Sequence, residues 1–207
     1  MIFSIFIQEQ HKSLYMKYLV FSDIPKVLHS SKTKKPFDKC VMCEKELLSE
    51  NSYYFIEKAF NQNIQNGTKD VLFEYAICMD CHEKIAKDLS KESLERIKMY
   101  FDLYVDFDER DTILFNKRER IDFADWVSEC VISKKNVAQL KEYQIAAMCY
   151  EDKVMYGSLP MAIGFEAADE LQQLLSKETK DTIDRFQNYI FPPKVWDEIP
   201  SKRLIFI

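Results

Sequence analysis

Two cysteine pairs constrain this chain more than anything else in it: Cys40-Val-Met-Cys43 and Cys78-Met-Asp-Cys81, separated by thirty-four residues. A two-residue spacer lets both sulfurs of one pair point at a common metal ion while the intervening amides turn toward them. Two such pairs complete a tetrahedral all-sulfur shell and leave no position for water, the arrangement of structural rather than catalytic zinc. The expectation is therefore one structural Zn2+ held by Cys40, Cys43, Cys78 and Cys81.

The segments around the pairs predict how they meet. Tyr53 to Phe60 (YYFIEKAF) and Val71 to Ile77 (VLFEYAI) read as strands, with Asn61 to Asp70, centred on Asn66-Gly67, as a long turn between them. Cys78 and Cys81 follow the second strand directly and lead into the helix-forming segment His82 to Leu89. At i and i+3 they share one face of a first helical turn. A helix N-terminus favours thiolate charge, and Lys39, Lys45 and Lys84 are close enough in sequence to offset the negative charge of four thiolates.

Knuckle, hairpin and helix in that order, over about residues 37–90, resemble the treble-clef zinc finger. The sequence departs from that family's pattern at Glu44, where glycine commonly follows the knuckle, and in the length of the hairpin loop. The whole chain is also similar to uncharacterised zinc-ribbon-type proteins of bacteria, a resemblance that implies a metal site and no particular activity.

Beyond the cysteines the pattern predicts an α+β protein in two modules. Residues 1–36 are read as an extension and linker, polar and basic over 22–36 between Pro25 and Pro36, with Met16 as an alternative start to Met1. Residues 37–111 form the zinc module, including a helix capped by Ser90 and running to about Tyr104 with Leu94, Ile97 and Phe101 on one face. The acidic stretch Asp106 to Asp111 ends that helix and marks the boundary. Residues 112–193 form an α+β module: a short helix around Phe123, Trp126 and Val127, strands at 143–150, 153–156 and 160–164, and helices at 165–175 and 179–190 closed by Pro192-Pro193. Residues 194–207 are a tail, and no internal repeat is evident.

Other chemistries fit less well. Cys78-Met-Asp-Cys81-His82 satisfies the haem-attachment pattern, but that chemistry needs export and leaves Cys40 and Cys43 without a role. A redox C-x-x-C would need a βαβ setting. HNH nucleases place a catalytic histidine on the treble-clef hairpin, and this hairpin has none. His82 reads as a helix-surface residue, Cys130 and Cys149 as core thiols, and the cluster Asp102, Asp106, Asp108, Glu109 and Asp111 as a solvated helix end lacking the spacing of a calcium loop.

Composition narrows the partners. Three glycines leave no phosphate-binding loop of the G-x-G-x-x-G or G-x-x-x-x-G-K kind. A net charge of −5 argues against a nucleic-acid or membrane coat. The apolar run Met1 to Ile7 is too short to span a bilayer and lacks signal-peptide features, so a cytoplasmic protein with reduced cysteines is expected. Lys32, Lys34, Lys35 and Lys39 precede the first cysteine pair, but residues 31–100 hold 12 basic and 12 acidic side chains. No catalytic set assembles. The functional expectation is a non-enzymatic, zinc-stapled scaffold that engages a protein partner, with a nucleic-acid-associated zinc finger as the alternative.

Overall fold

The computed structural model describes residues 20–191. Strand β1 (Val20–Asp23) precedes the hairpin β2 (Tyr53–Gln62) and β3 (Lys69–Cys78), which is followed by helices α1 (Met79–Lys87), α2 (Lys91–Tyr104), α3 (Phe107–Lys117) and α4 (Phe123–Trp126). Then come β4 (Glu142–Tyr150), β5 (Lys153–Tyr156), β6 (Met161–Gly164), α5 (Phe165–Gln173) and α6 (Lys177–Ile190). All strands among the described residues join one six-stranded antiparallel sheet in the order β1-β5-β4-β2-β3, with β6 also on β4.

Residues Tyr54 to Phe60 of β2 are all buried, so both faces of the sheet are covered. On one face Phe55 packs against His82 of α1, while Tyr75 and Phe73 of β3 pack on Phe186 of α6 and on Phe191 just after it. The other face carries Lys58 and Glu74, an ion pair at 2.8 Å with both side chains nearly buried. It is covered by the segment that composition alone marks as a linker. Leu28 is fully buried there, His29 O accepts from Lys58 Nζ at 2.6 Å, and the Ser31 amide and hydroxyl donate to Glu74. Residues 24–31 thus pack as a cover, while Lys32 to Lys35 stay exposed. Ser30 and Ser31 serve a buried charge, which composition cannot distinguish from service to solvent.

The chain contains two arms of matching construction. In the first, β2 pairs with β3 through Tyr54↔Cys78 and Ile56↔Ala76; in the second, β4 pairs with β6 through Tyr143↔Gly164 and Ile145↔Ala162. Each is followed by a nine-residue helix and then a fourteen-residue helix: α1 and α2, α5 and α6. Strands β2 and β4 pair antiparallel from Tyr53↔Tyr150 to Asn61↔Glu142, with Glu57 facing Ala146. By the hairpin registers Glu57 and Ala146 are also equivalent positions, so an approximate twofold axis passes between them. The absence of a repeat in the sequence reading is corrected here. The identities are scattered, among them Cys40-Val41 against Cys130-Val131, Tyr54 against Tyr143, Ile56 against Ile145, Ala76-Ile77 against Ala162-Ile163 and Leu89-Ser90-Lys91-Glu92 against Leu175-Ser176-Lys177-Glu178, and β5 interrupts the second hairpin.

The recurring serines meet across this axis. The N-termini of α2 and α6 face each other, bringing two positive helix ends together. Their free amides are satisfied by hydroxyls: Ser90 accepts from the Ser93 amide and Ser176 from the Thr179 amide, both at 3.2 Å. Across the interface the Ser90 amide donates to Thr179 Oγ1 at 3.0 Å and the Ser176 amide to Ser93 Oγ at 2.8 Å.

Helix α3 is absent from the sequence expectation. Asp106 caps it, accepting from the Glu109 amide at 2.8 Å, and Asp108 and Glu109 occupy its first turn. The acidic run that looked like the end of one helix starts another, which is where carboxylates favour a helix dipole. The boundary drawn at Asp111 falls inside α3, and pairing of β2 with β4 places both modules on one sheet. The turn of the first hairpin is shorter than expected, because β2 runs on to Gln62 and β3 begins at Lys69. The alternative start at Met16, Pro192-Pro193 and the 194–207 tail lie outside the described residues.

Two tests follow from this packing. Replacing Ser90 or Ser176 by Ala is expected to cost about 1 kcal/mol each in denaturant unfolding. The pair should be non-additive, because the two hydroxyl oxygens lie 2.8 Å apart. Burial pushes the Glu74 carboxyl up, but hydrogen bonds from Lys58 and Ser31 hold it below its ordinary value of 4.5. Its stabilising contribution is full above the unfolded value and lost as pH falls through the lowered folded one. Melting temperatures of Glu74→Gln should accordingly lie well below those of the unmodified chain at pH 7, the gap narrowing as pH falls below about 4.

Candidate metal centre

The first cysteine pair lies on a tight turn. The Glu44 amide donates to Cys40 O and the Cys40 amide to Lys45 O, both at 2.9 Å, which reverses the chain within six residues. Glu44 takes φ 58°, the left-handed region where glycine is favoured. The departure from the glycine pattern therefore leaves the turn intact and places a non-glycine residue in a strained conformation. A backbone bond from the Val41 amide to Ala76 O at 2.9 Å fastens the turn to β3.

The second pair lies where β3 becomes α1. Cys78 is the N-cap residue and Cys81 falls in the first turn. The Cys78 amide donates to Cys40 Sγ at 3.4 Å, as does the Met42 amide, so Cys40 sulfur is held by both halves of the centre. Cys43 Sγ lies 3.7 Å from Cys78 Sγ, and all four sulfurs fall within 4.8 Å of one another. Cys40, Cys78 and Cys81 are buried while Cys43 is exposed, so the cluster sits at the edge of the core with one cysteine facing solvent. Lys45 bridges to Asp80 of α1 at 2.9 Å, a second tie between turn and helix that is modest because both groups are exposed.

The thiols divide by environment. Burial pushes the Cys78 thiol up to about 11 and the Cys81 thiol further still, whereas the Lys45 amide holds the exposed Cys43 below its ordinary value. Buried thiols of this kind shed their protons to a cation that compensates the charge. Four converging sulfurs at these separations suit a metal ion of borderline softness such as zinc. The sequence-predicted ligand set is thus brought together in full.

Other sequence-level candidates are placed elsewhere. His82 is 1% exposed and packs against Phe55, so the surface position expected for it is corrected. Its place next to Cys81 in the first turn puts it on the core side of α1. Cys149 is fully buried in β4 opposite Tyr54. Cys130 is fully buried on a turn after α4. The acidic residues from Asp102 to Asp111 are largely spent on helix chemistry: Asp106 caps α3, and Asp102 pairs with Lys98 at 2.8 Å. Of the strand aromatics that could stack bases, Tyr54, Phe55, Phe73 and Tyr75 are core residues and Tyr53 is exposed. Among the described residues, no helix is long and apolar enough to cross a membrane.

The buried Lys58–Glu74 pair and the serine cluster between the arms escaped sequence reasoning. Charged residues in a strand read as its solvent face, and only the repeated Leu-Ser-Lys-Glu signalled the latter. No family model, curated protein or solved structure matches this chain.

Loss of one sulfur should be felt throughout the first arm. Cys78→Ser is expected to reduce bound metal from about one ion per chain to a small fraction. Losing several kcal/mol of site energy should also lower the melting temperature by about 10 °C or more. Metal analysis and calorimetry on the same samples check both.

Proposed function

We propose that this chain is a zinc-stapled protein of treble-clef type with no catalytic role for its metal, acting through contact with a protein partner. The observation that carries the structural role is saturation of the cluster. Four thiolates complete a tetrahedral zinc shell, and a catalytic zinc keeps a position for water or substrate. Zinc would hold the turn at 40–45 against the start of α1, joining parts of the chain that a small local core holds weakly.

Contact with a protein is supported by helix α2. Its inner face contributes Ile97 and Phe101 to the core, while Met99 and Leu103, 71% and 74% exposed, stand one turn apart on the outside. Tyr104, 46% exposed, adjoins them. Large exposed apolar groups held together on one helix face suit a binding surface. The nucleic-acid alternative draws on the exposed lysines at 32, 34, 35 and 39. Burial of four strand aromatics removes the stacking platform such binding would use.

Affinity capture from native cells with the full chain, compared with Met99→Asp/Leu103→Asp, tests this reading. A protein captured by the unmodified chain should fall by roughly tenfold or more with the double variant, the scale of losing a binding hot spot. Metal content and melting temperature should be unchanged. Capture of nucleic acid, with affinity falling steeply in added salt, would favour the alternative instead.

A further inference from the structure

The second arm rebuilds the framework of the metal centre with one of its four thiols, Cys130. The Lys134 amide donates to Cys130 O and the Cys130 amide to Lys135 O, both at 2.9 Å, and Lys134 takes φ 58°, as Glu44 does. The Val131 amide donates to Ala162 O on β6 at 2.9 Å, as that of Val41 does to Ala76 on β3. Cys130 Sγ accepts from the Gly164 amide at 3.3 Å and from an amide of its own turn, that of Ser133, at 3.4 Å. Gly164 is the N-cap residue of α5, as Cys78 is of α1.

The turn alone would prove little. Ser30 to Lys35 adopt the same one, with the Ser30 amide on Lys35 O and Lys34 at φ 59°, and no hairpin and helix follow it in the same way. What singles out residues 130–135 is the whole set of surroundings. An ion pair links Lys135 to Glu166 in the first turn of α5 at 2.6 Å, matching Lys45 with Asp80. These correspondences place Cys130, Ser133, Gly164 and Ala167 at the positions of Cys40, Cys43, Cys78 and Cys81. Their burial runs buried, exposed, buried, buried in both arms.

We infer that the chain is a tandem duplication of one metal-binding unit, and that residues 130, 133, 164 and 167 are the ligand positions of the second copy, emptied of three thiols. Apolar packing now stands where a thiol-bearing residue would. A Cβ added at Gly164 would lie 2.9 Å from Leu140 Cδ1, and Cys130 and Ala167 are buried in the core. The ion this framework fits is the one that suits its twin, a divalent cation of borderline softness with four sulfurs.

The test restores the ligands in the full chain and uses cobalt(II) as the probe. Ser133→Cys, Gly164→Cys and Ala167→Cys, combined with Leu140→Ala to free room at 164, should raise binding from about one ion per chain to about two. Thiolate-to-cobalt absorption should roughly double, and adding Cys130→Ser should abolish the gain. Ser133→Cys with Ala167→Cys offers three thiols without altering Gly164, and should bind the second ion more weakly. A gain in either variant that depends on Cys130 supports the inference. No gain in either, a gain that persists without Cys130, or failure of both variants to fold in zinc would overturn it, since the equivalent first-arm positions accommodate cysteine. The gain is read relative to the unmodified chain, so absence of metal there would defeat the first-arm zinc reading separately.

Discussion

The antiparallel pairing of β2 with β4 is the contact on which the rest of the molecule depends. Nine facing residue pairs, from Tyr53↔Tyr150 to Asn61↔Glu142, join the two arms through backbone hydrogen bonds. An isolated hairpin is marginal in water, because its faces and edges remain solvated. Here each hairpin gives its partner an additional strand, making one six-stranded sheet that is covered on both faces. The same axis brings the starts of α2 and α6 together, where serine and threonine hydroxyls satisfy amides that would otherwise be buried without partners.

Within that shared frame the two arms secure the turn-to-helix junction by different means. In the first, sulfur from both elements converges to a cluster that suits a cation. In the second, Leu140 packs at Gly164, Gln62 Nε2 donates to Val137 O and Leu140 O, and Trp126 Nε1 donates to Pro160 O at 3.0 Å. Arg110 of α3 lies over the Trp126 ring at 4.5 Å. Helices α3 and α4, which interrupt the repeat, thus supply packing next to the arm that lacks the sulfur cluster. A sulfur cluster suited to a metal and an apolar packing stand at equivalent junctions here, both on one backbone plan.

Local signals in the sequence carried much of this. The turn-forming run around Asn66-Gly67, the cap at Ser90 and the strand YQIAAMCY each locate an element, because those preferences operate over a few residues. The segment 22–36, helix α3 and the place of His82 were not legible. For His82 and for Ser30 and Ser31, whether a polar side chain faces water or a buried partner is settled by contacts remote in sequence, while the acidic run that opens α3 suits the solvated end of one helix as well as the start of another. Glu74 shows this plainly, since its partners are Lys58 on the neighbouring strand and Ser31 on the covering segment.

By itself the sequence marked the four sulfurs that cluster, because two-residue spacing dictates which sulfurs can come within reach of one ion, and it determined most of the helices and strands, because their signals are local. Tertiary structure alone decided that the chain has two arms related by a twofold axis. That symmetry resides in hydrogen-bond registers, turn conformations and a lysine–carboxylate ion pair, Lys45–Asp80 in one arm and Lys135–Glu166 in the other. Backbone geometry can outlast the side chains that first required it, since many sequences satisfy one set of backbone bonds while a metal accepts only a few kinds of ligand.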